Sequence, residues 1–290
     1  MDANDPPEQL NEPTQGVDGQ MGDRVGYFRA AVEKSERSFW TLIGIDCAVD
    51  RKKVGLARGR LHQGRLTVTE VRLGSNIEPL LAVSGWIEGP TLIALDAPLG
   101  WPAMLGDVLV RHAAGCRIEQ DGNEMFMRHT DRVVWERTKK RPLEVGADRI
   151  ARTALSALCL LTDLRTRTGI PIPLMWRPGD LDVNVGAIEV YPAATLKARG
   201  LNEKGYKGNG VTHRKAREVL RTSLAREFDS LVKPAAIVAT DHSLDAVLCL
   251  LAAADFLRGE ASPPPPEHQE RARREGWIWV RHPEKRIRPG

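Results

Sequence analysis

Acidic side chains at the edges of apolar runs are the residues of this sequence best suited to chemistry. Asp46 ends the run "LIGID", Asp96 ends "LIALD", and Glu189 lies within "AIEVYP". Asp241 and Asp245 precede the run "AVLCLLAAA" and, being four residues apart, lie on one face of a helix. An isolated carboxylate in such a setting is costly to desolvate, and several together repel each other unless a cation lies between them.

A divalent metal ion is the cation that such a group of carboxylates predicts. Ligand sites of open α/β sheets gather outside the carboxyl ends of strands, which is where we expect Asp46 and Asp96. Mg²⁺ (or Mn²⁺) prefers carboxylate oxygens and retains several waters. Two such ions about 4 Å apart can hold the attacking water and the leaving oxygen of a phosphodiester. We therefore expect Asp46, Asp96, Asp241 and Asp245 to be metal ligands.

Each of these acids also has a structural interpretation. Asp241 is a suitable helix N-cap, and Asp96 is suited to an Asx turn before Pro98. Glu189 is equally compatible with an ion pair to a basic side chain. Asp245 favours a functional role, because aspartate is a poor helix former one turn inside a helix.

Other common site motifs are missing from the sequence. Neither GxxxxGK[ST] nor GxGxxG occurs, and Gly55, Gly59 and Gly64 are spaced as turn residues. The seven histidines have no paired-ligand spacing, which favours surface or turn roles, and no serine lies in a GxSxG motif. The four cysteines lie far apart and predict free, mostly buried thiols.

The elements that must position the acids begin with a β-rich unit. Three segments separated by short polar or glycine-containing links predict an antiparallel meander: Phe39 to Val49, Val54 to Leu61 and Arg65 to Leu73. A helix near Ile77 to Ile87 then leads to "TLIALDAP", an unbroken apolar run typical of a strand buried on both faces.

Helices dominate the rest of the chain. A helical insertion is expected over about residues 101–178, with its strongest helix from Ala147 to Gly169. "VGAIEVYPAATLKARGL" predicts a strand followed by a helix, and further helices are expected from about His213 to Phe228 and from Thr240 to Gly259. The fold class is therefore α/β, with a mixed sheet flanked by helices.

Composition sets the domain organisation. The chain of 290 residues, of which 42% are hydrophobic and 28% charged, suits one α/β domain with insertions and tails. Residues 1–37 predict a disordered acidic tail and a short helix, because Met1 to Asp23 holds six acidic and no basic residues. Residues 38–260 form the expected domain, and residues 261–290 predict a Pro-rich linker and a basic C-terminal tail.

Neither a membrane span nor a secretion signal is indicated. No stretch approaches 18 consecutive apolar residues, and the N-terminus is acidic and polar. The sequence therefore predicts a cytoplasmic protein without a membrane partner. The formal charge of +4 is modest, so the distribution of charge says more about partners than the total does.

Five blocks in order identify a resemblance to a known family. "LIGIDCAVDRKKVGLA", "LIALDAPLGWP", "MRHTDRVVWERT", "IEVYPAATLKARGL" with "YKG", and "DHSLDAVLCLLAAADFLRG" resemble the DUF429 family, whose members are predicted to be nucleases with an RNase H-like fold. The resemblance covers roughly Leu42 to Gly259. It implies an RNase H-like sheet with acids at Asp46, Asp96 and Asp245, and with Asp241 as a possible fourth.

Two blocks are specific to this family within the wider fold. They contain Glu189 in "EVYP" and Arg128, Asp131 and Arg132 in "RHTDR". The resemblance also implies a glutamate on the first crossover helix, where only Glu78 or Glu88 is available and neither lies in a recognisable motif. Either Glu189 substitutes for that acid, or the metal site is incomplete.

Basic residues point to nucleic acid as the partner, whether DNA or RNA. "RVVWERTKKRP" interleaves a tryptophan with cations, a composition suited to phosphates and a stacked base, and a second basic loop follows residue 203. Such charge runs are also typical of solvated faces. The expected nucleic-acid-binding residues are Arg128, Arg132, Trp135, Lys139, Lys140, Arg141, Lys207 and Arg214.

The function that these observations predict is metal-dependent hydrolysis of phosphodiester bonds, with Asp46, Asp96, Glu189 and Asp245 as catalytic residues. One alternative is a non-catalytic protein of the same fold that binds nucleic acid or a nucleotide. Another is a phosphate-handling enzyme acting on small molecules, since the same fold core underlies sugar kinases. The lack of a glycine-rich phosphate loop after Asp46 counts against that third alternative.

Overall fold

A computed structural model of the chain describes residues 39–146, 148–178, 183–231 and 233–282. The expected acidic tail and its short helix lie outside the described residues, as does the basic stretch after residue 282. Among the described residues, no helix combines the length and apolar character needed to cross a bilayer.

Six strands form one mixed sheet in the order β5-β4-β1-β2-β3-β6. The first three strands are an antiparallel meander, and β4, β5 and β6 each run parallel to their neighbour. This confirms the expected α/β fold with a mixed sheet flanked by helices. The strands are β1 (Trp40–Asp46), β2 (Gly55–His62), β3 (Arg65–Leu73), β4 (Thr91–Asp96), β5 (Val185–Glu189) and β6 (Phe228–Leu231).

Helices connect the strands and cover the sheet. Short 3-10 turns occur at Arg51–Lys53, Ala225–Glu227 and Pro266–His268. The α-helices are α1 (Pro79–Trp86), α2 (Ala103–Leu109), α3 (Gly122–Phe126), α4 (His129–Thr138), α5 (Asp148–Thr168), α6 (Pro192–Ala198), α7 (Val211–Ser223), α8 (Pro234–Ile237), α9 (Asp241–Leu257) and α10 (Gln269–Glu275).

The two faces of the sheet are buried by different helices. Ile43 and Ile45 of β1 belong to the core that includes α1 and α5, whereas Leu42 belongs to the core that includes α9. Successive side chains of a strand point to opposite faces. The residues of β1 with even numbers, which end at Asp46, therefore lie on the α9 side of the sheet.

Two glycines let α9 approach the sheet closely. A Cβ atom on Gly44 would lie 2.1 Å from the carbonyl oxygen of Ala246, and one on Gly55 would lie 2.0 Å from that of His242. Gly55 and Gly59 were expected in turns, but they lie within β2; only Gly64, with a φ of 73°, lies in the turn between β2 and β3. The first turns of α9 can contact β1 and β2 because these positions carry no side chain.

Residues 261–282 pack into the domain, whereas residues 261–290 were expected to form a linker and a tail. Trp277 and Trp279 are buried in the same core as α9, and the ring of Trp279 lies 4.6 Å from that of Phe256. Ile278 forms a parallel bridge with Glu189 at the end of β5. The apolar surface of the two tryptophans outweighs the basic composition of the segment, because large aromatic side chains dominate the energetics of burial.

All four cysteines are free, as predicted. Cys249 is buried and Cys47 is partly buried, whereas Cys116 and Cys159 are exposed, so the expected burial holds for only part of the set.

Candidate metal centre

The first two acids of the site lie side by side at the edge of the sheet. β1 and β4 are parallel neighbours, and their register pairs Asp46 with Asp96 at the last position of both strands. Both carboxylates therefore leave the sheet at its carboxyl end and on the same face. That face is the one covered by α9.

The third acid comes from α9. Asp245 lies in the second turn of the helix and is 2% exposed. One carboxylate oxygen each from Asp46, Asp96 and Asp245 lie within 4.8 Å of one another. Three hard oxygen donors at this separation fit the ligand preference of Mg²⁺ or Mn²⁺. We call these three residues the acidic triad.

Neighbouring side chains contact two members of the acidic triad. His242 Nδ1 lies 2.5 Å from Asp46 Oδ2. The Tyr206 hydroxyl donates a hydrogen bond to Asp245 Oδ1 over 2.7 Å, and the Lys207 ammonium lies 2.8 Å from Asp245 Oδ2. Both oxygens of Asp245 therefore already have a protein partner.

Burial, together with mutual repulsion, marks the acidic triad as a site that favours a cation. Burial and then the charge of Asp46 hold the pKa of Asp96 well above its ordinary value. Burial also raises the pKa of Asp245 to about 6, although Lys207 acts in the opposite direction. Burial lowers the pKa of Lys207, but the nearby carboxylates of Asp245 and Asp96 outweigh it and raise that pKa overall.

Arg217 fixes the loop that carries Tyr206 and Lys207. Its guanidinium is 3% exposed and donates to the carbonyl oxygens of Tyr206 (2.7 Å), Gly208 (3.0 Å) and Val238 (2.8 Å). The loop is thereby tied both to α7, which carries Arg217, and to the segment that leads into α9. A buried cation bonded to carbonyl oxygens keeps its hydrogen-bonding groups satisfied.

Asp241 contributes to that anchoring rather than to the acidic triad. Its Oδ2 accepts a hydrogen bond from the backbone N–H of Gly208 over 2.9 Å. The N-cap of α9 is Thr240, whose side chain accepts from the N–H of Ser243, so Asp241 is not the cap either. Asp241, the expected fourth metal ligand, therefore binds the loop that contains Gly208.

Glu189 lies in a buried ion pair. The Arg128 guanidinium donates to its Oε2 and Oε1 over 2.8 and 2.7 Å, and also donates to Asp131. The N–H of Leu99 donates to Glu189 Oε2 as well. Arg128 is 1% exposed, so the expected contact between Arg128 and nucleic acid differs from what the structure shows. The interpretation of Glu189 as an ion-pair partner agrees with this geometry.

A cleft of roughly 410 Å³ opens at the carboxyl ends of β1 and β4, beside the acidic triad. Its lining includes Asp46 and Asp96 together with the cationic side chains of Lys140, Arg141 and Lys207. The volume lies within the range of about 300 to 1,000 Å³ that is typical of small-molecule sites. Cations and a carboxylate cluster thus share one concave surface.

The remaining expected binding residues lie on or next to α4 and α7 and do not line this cleft. Trp135 on α4 is 43% exposed, and the Arg141 guanidinium lies 5.1 Å from its ring centroid. Arg132 is partly buried on α4, Lys139 caps α4 with a φ of 58°, and Arg214 is exposed on α7.

His242, Tyr206 and Arg217 also belong to the site, although their sequence context did not predict it. His242 precedes Asp245 by one helical turn, a spacing that is informative only once Asp245 is placed. Tyr206 is an aromatic residue in a polar loop, between Gly205 and Gly208. An aromatic residue in such a loop indicates a side chain that is buried and holds the loop against the domain. Glu78 and Glu88 were the candidates for a crossover-helix acid. Glu78 instead caps the N-terminus of α1, and Glu88 pairs with Arg58.

These features define an α/β protein whose mixed sheet and long helix α9 place three carboxylates together, two of which line a cleft that also holds cations. The chain matches the family described as "protein of unknown function (DUF429)" over residues 44–270, and it belongs to that family. No curated protein and no solved structure gives a significant match.

Proposed function

We propose that this protein is a metal-dependent phosphodiester hydrolase acting on nucleic acid. The observation that carries the proposal is the acidic triad, two members of which, Asp46 and Asp96, line a cleft together with Lys140, Arg141 and Lys207. Carboxylates suit a divalent metal ion, and neighbouring cations suit the phosphates of the substrate. Neither group alone would favour this function as much as their presence in one cleft.

Each part of the site has a defined task in this proposal. Asp46, Asp96 and Asp245 would hold Mg²⁺ or Mn²⁺. A bound ion of this kind would polarise a phosphoryl oxygen of the substrate and activate a water molecule. Lys140 and Arg141 would bind the substrate backbone. His242 would orient the Asp46 carboxylate through its 2.5 Å contact.

Glu189 has a positioning task in the same proposal. Because both of its oxygens contact Arg128, it would shape the wall of the cleft rather than bind the metal ion. Asp241 would act similarly through its hydrogen bond to Gly208.

The test is a titration of Mg²⁺ and of Mn²⁺ into the wild type, Asp46→Asn and Asp96→Asn, followed by calorimetry. Cleavage of labelled single-stranded and duplex DNA and RNA is measured in parallel. We expect both variants to lose metal affinity at least tenfold and cleavage on the order of a hundredfold, because a neutral amide is a poor ligand for a hard cation.

Asp163→Asn is the matched control, because Asp163 is an exposed aspartate on α5 and is not part of the acidic triad. It should retain both metal binding and cleavage. A fully active Asp46→Asn variant with an intact fold would contradict the proposal.

A second candidate is a non-catalytic protein that binds nucleic acid or a nucleotide. The observation in its favour is the Lys207–Asp245 ion pair, which already supplies a cation to the acidic triad. Under this alternative, nucleic-acid binding would be insensitive to chelators and equal in wild type and the aspartate variants.

A further inference from the structure

We propose that Lys207 is an exchangeable cation, whose ammonium group occupies the acidic triad until a divalent metal ion replaces it and then holds a phosphate group of the substrate. The exchange of the two cations depends only on metal binding by the carboxylates. The later contact between Lys207 and a phosphate group rests on the proposed function. Without a metal ion, the ammonium group of Lys207 would supply the positive charge that compensates the carboxylates.

The first argument is charge. Three carboxylates with oxygens within 4.8 Å of one another form a concentrated negative site. The Lys207 ammonium contacts the least exposed of the three, Asp245, at 2.8 Å. A divalent ion held by the three carboxylates carries twice the charge of the ammonium, and it would repel an ammonium that stays this close to Asp245. The two cations therefore compete for one place.

The second argument is that the Lys207 side chain can move while its backbone stays in place. Its side chain is 55% exposed, although Asp245 is 2% exposed. The flanking residues are fixed, because Tyr206 and Gly208 accept hydrogen bonds from Arg217 and the N–H of Gly208 donates to Asp241. Rotation about the side-chain bonds of Lys207 is thus sufficient for the exchange.

The third argument is the destination of the displaced ammonium. Lys207 lines the same cleft as Lys140 and Arg141, so its ammonium needs only to turn away from Asp245 to face that space. Lysine is a flexible point charge with three donors, which suits a contact that changes partner. A phosphate above the acidic triad would then contact a cation that metal binding has released.

The test measures Mn²⁺ affinity by calorimetry in the wild type and in Lys207→Met. If Lys207 competes with the metal ion, removal of its charge should make Mn²⁺ binding about tenfold tighter. Lys207→Gln serves as a second neutral variant, and Lys207→Arg, which keeps the charge, should bind no tighter than the wild type. Lys204→Met is the matched control, because Lys204 is exposed in the same loop, and it should leave the affinity unchanged.

A second measurement separates exchange from a merely structural role. Binding of a short single-stranded oligothymidylate is followed in Ca²⁺, in wild type and in Lys207→Met. We expect about tenfold weaker oligonucleotide binding in the variant that binds Mn²⁺ more tightly. A lysine that only stabilises the loop would weaken both affinities when removed.

The outcomes separate this inference from the proposed function. Tighter Mn²⁺ binding in Lys207→Met without any oligonucleotide binding or cleavage would support the exchange and overturn the nuclease proposal. Unchanged or weaker Mn²⁺ binding with cleavage intact in the wild type would overturn the exchange alone. A wild-type protein that binds no Mn²⁺ would overturn both.

Discussion

At the scale of single residues, the partners of each carboxylate distinguish a metal ligand from a structural acid. Asp46 and Asp96 face each other across two strands, whereas both oxygens of Glu189 contact the Arg128 guanidinium. Burial raises the pKa of Glu189, while Arg128 acts in the opposite direction. A carboxylate whose two oxygens are both held by an arginine is expected to stabilise the fold and not to bind a metal ion.

We therefore predict that Glu189→Gln lowers the free energy of unfolding by about 1 to 3 kcal/mol, because the buried Arg128 guanidinium loses one of its two carboxylate partners and keeps Asp131. Urea denaturation measures the change. Glu88→Gln is the control: the pair between Glu88 and Arg58 is partly exposed, so its loss should cost about 1 kcal/mol or less. A Glu189→Gln variant of normal stability that has lost cleavage would instead make Glu189 a catalytic residue.

Residue identity was sufficient to predict the acidic triad but not the roles of the other acids. Asp46, Asp96 and Asp245 follow or precede apolar runs, but Asp241 shares that context and was also predicted as a ligand, although it lies outside the acidic triad. The partner of Glu189 is 61 residues away in sequence, and the loop partner of Asp241 is 33 residues away. Such pairings depend on how the elements pack, which no local pattern encodes.

At the scale of elements, α9 carries a buried acid near each end. Asp245 lies near its start, and Asp255 lies near its end with 1% exposure. Arg199, just after α6, donates to both oxygens of Asp255 over 2.7 and 2.8 Å. Burial nevertheless raises the pKa of Asp255 to about 6 from an ordinary value of 3.8. Helix α9 is therefore held to α6 by a carboxylate that titrates in an accessible range.

Asp255 contributes to the pH dependence of stability through this pKa, in addition to the other buried carboxyl groups whose pKa is raised. Between pH 4 and 6 the folded state binds more protons at Asp255 than the unfolded state does, so the free energy of unfolding falls as the pH rises through that window. A shift of this size corresponds to about 1 to 3 kcal/mol.

The measurement is urea denaturation at several pH values in the absence of metal ions. Asp255→Asn should reduce the slope between pH 4 and 6, although its stability is lower overall because Arg199 loses a charged partner. The exposed variant Asp163→Asn should leave the slope as in the wild type. An identical slope in Asp255→Asn would contradict the assignment.

Elements with a clear hydrophobic period were predictable, and those defined by pairing were not. Strand β3 was expected and found at residues 65–73, and α5 ends at Thr168, one residue before its expected end. Helix α7 was expected to extend to Phe228 but ends at Ser223, and β6 follows. Four residues reading "FDSL" carry little strand signal, and β6 forms only by pairing with the edge of β3.

At the scale of the whole molecule, the segment after α9 completes the wall of the site. Ile278 pairs with Glu189, and the N–H of Trp279 donates to the carbonyl oxygen of Glu189 over 2.9 Å. The backbone carbonyl of Glu275 also accepts from Arg128 over 3.2 Å. Composition alone suggested a linker and tail there, because it counts the basic residues but not where two tryptophans can be buried.

We predict that Trp279→Ala lowers the free energy of unfolding by about 3 to 5 kcal/mol, since it removes a large side chain from a packed core. Thermal and urea denaturation of the full chain check this. Trp135→Ala is the matched control, because Trp135 is 43% exposed, and its effect should be about 0.5 kcal/mol or less. Equal stability of the two variants would show that the segment adds little to the fold.

The register of β1 and β4 has a consequence for folding fidelity. Asp46 and Asp96 are partners across the two strands, and a slip of β4 by one residue would turn Asp96 to the opposite face of the sheet. A chain that pairs its strands wrongly would thus lack two adjacent carboxylates and would not bind a divalent ion with native affinity. Ion binding at the acidic triad would stabilise only correctly aligned chains, and it would act as a thermodynamic check on strand alignment.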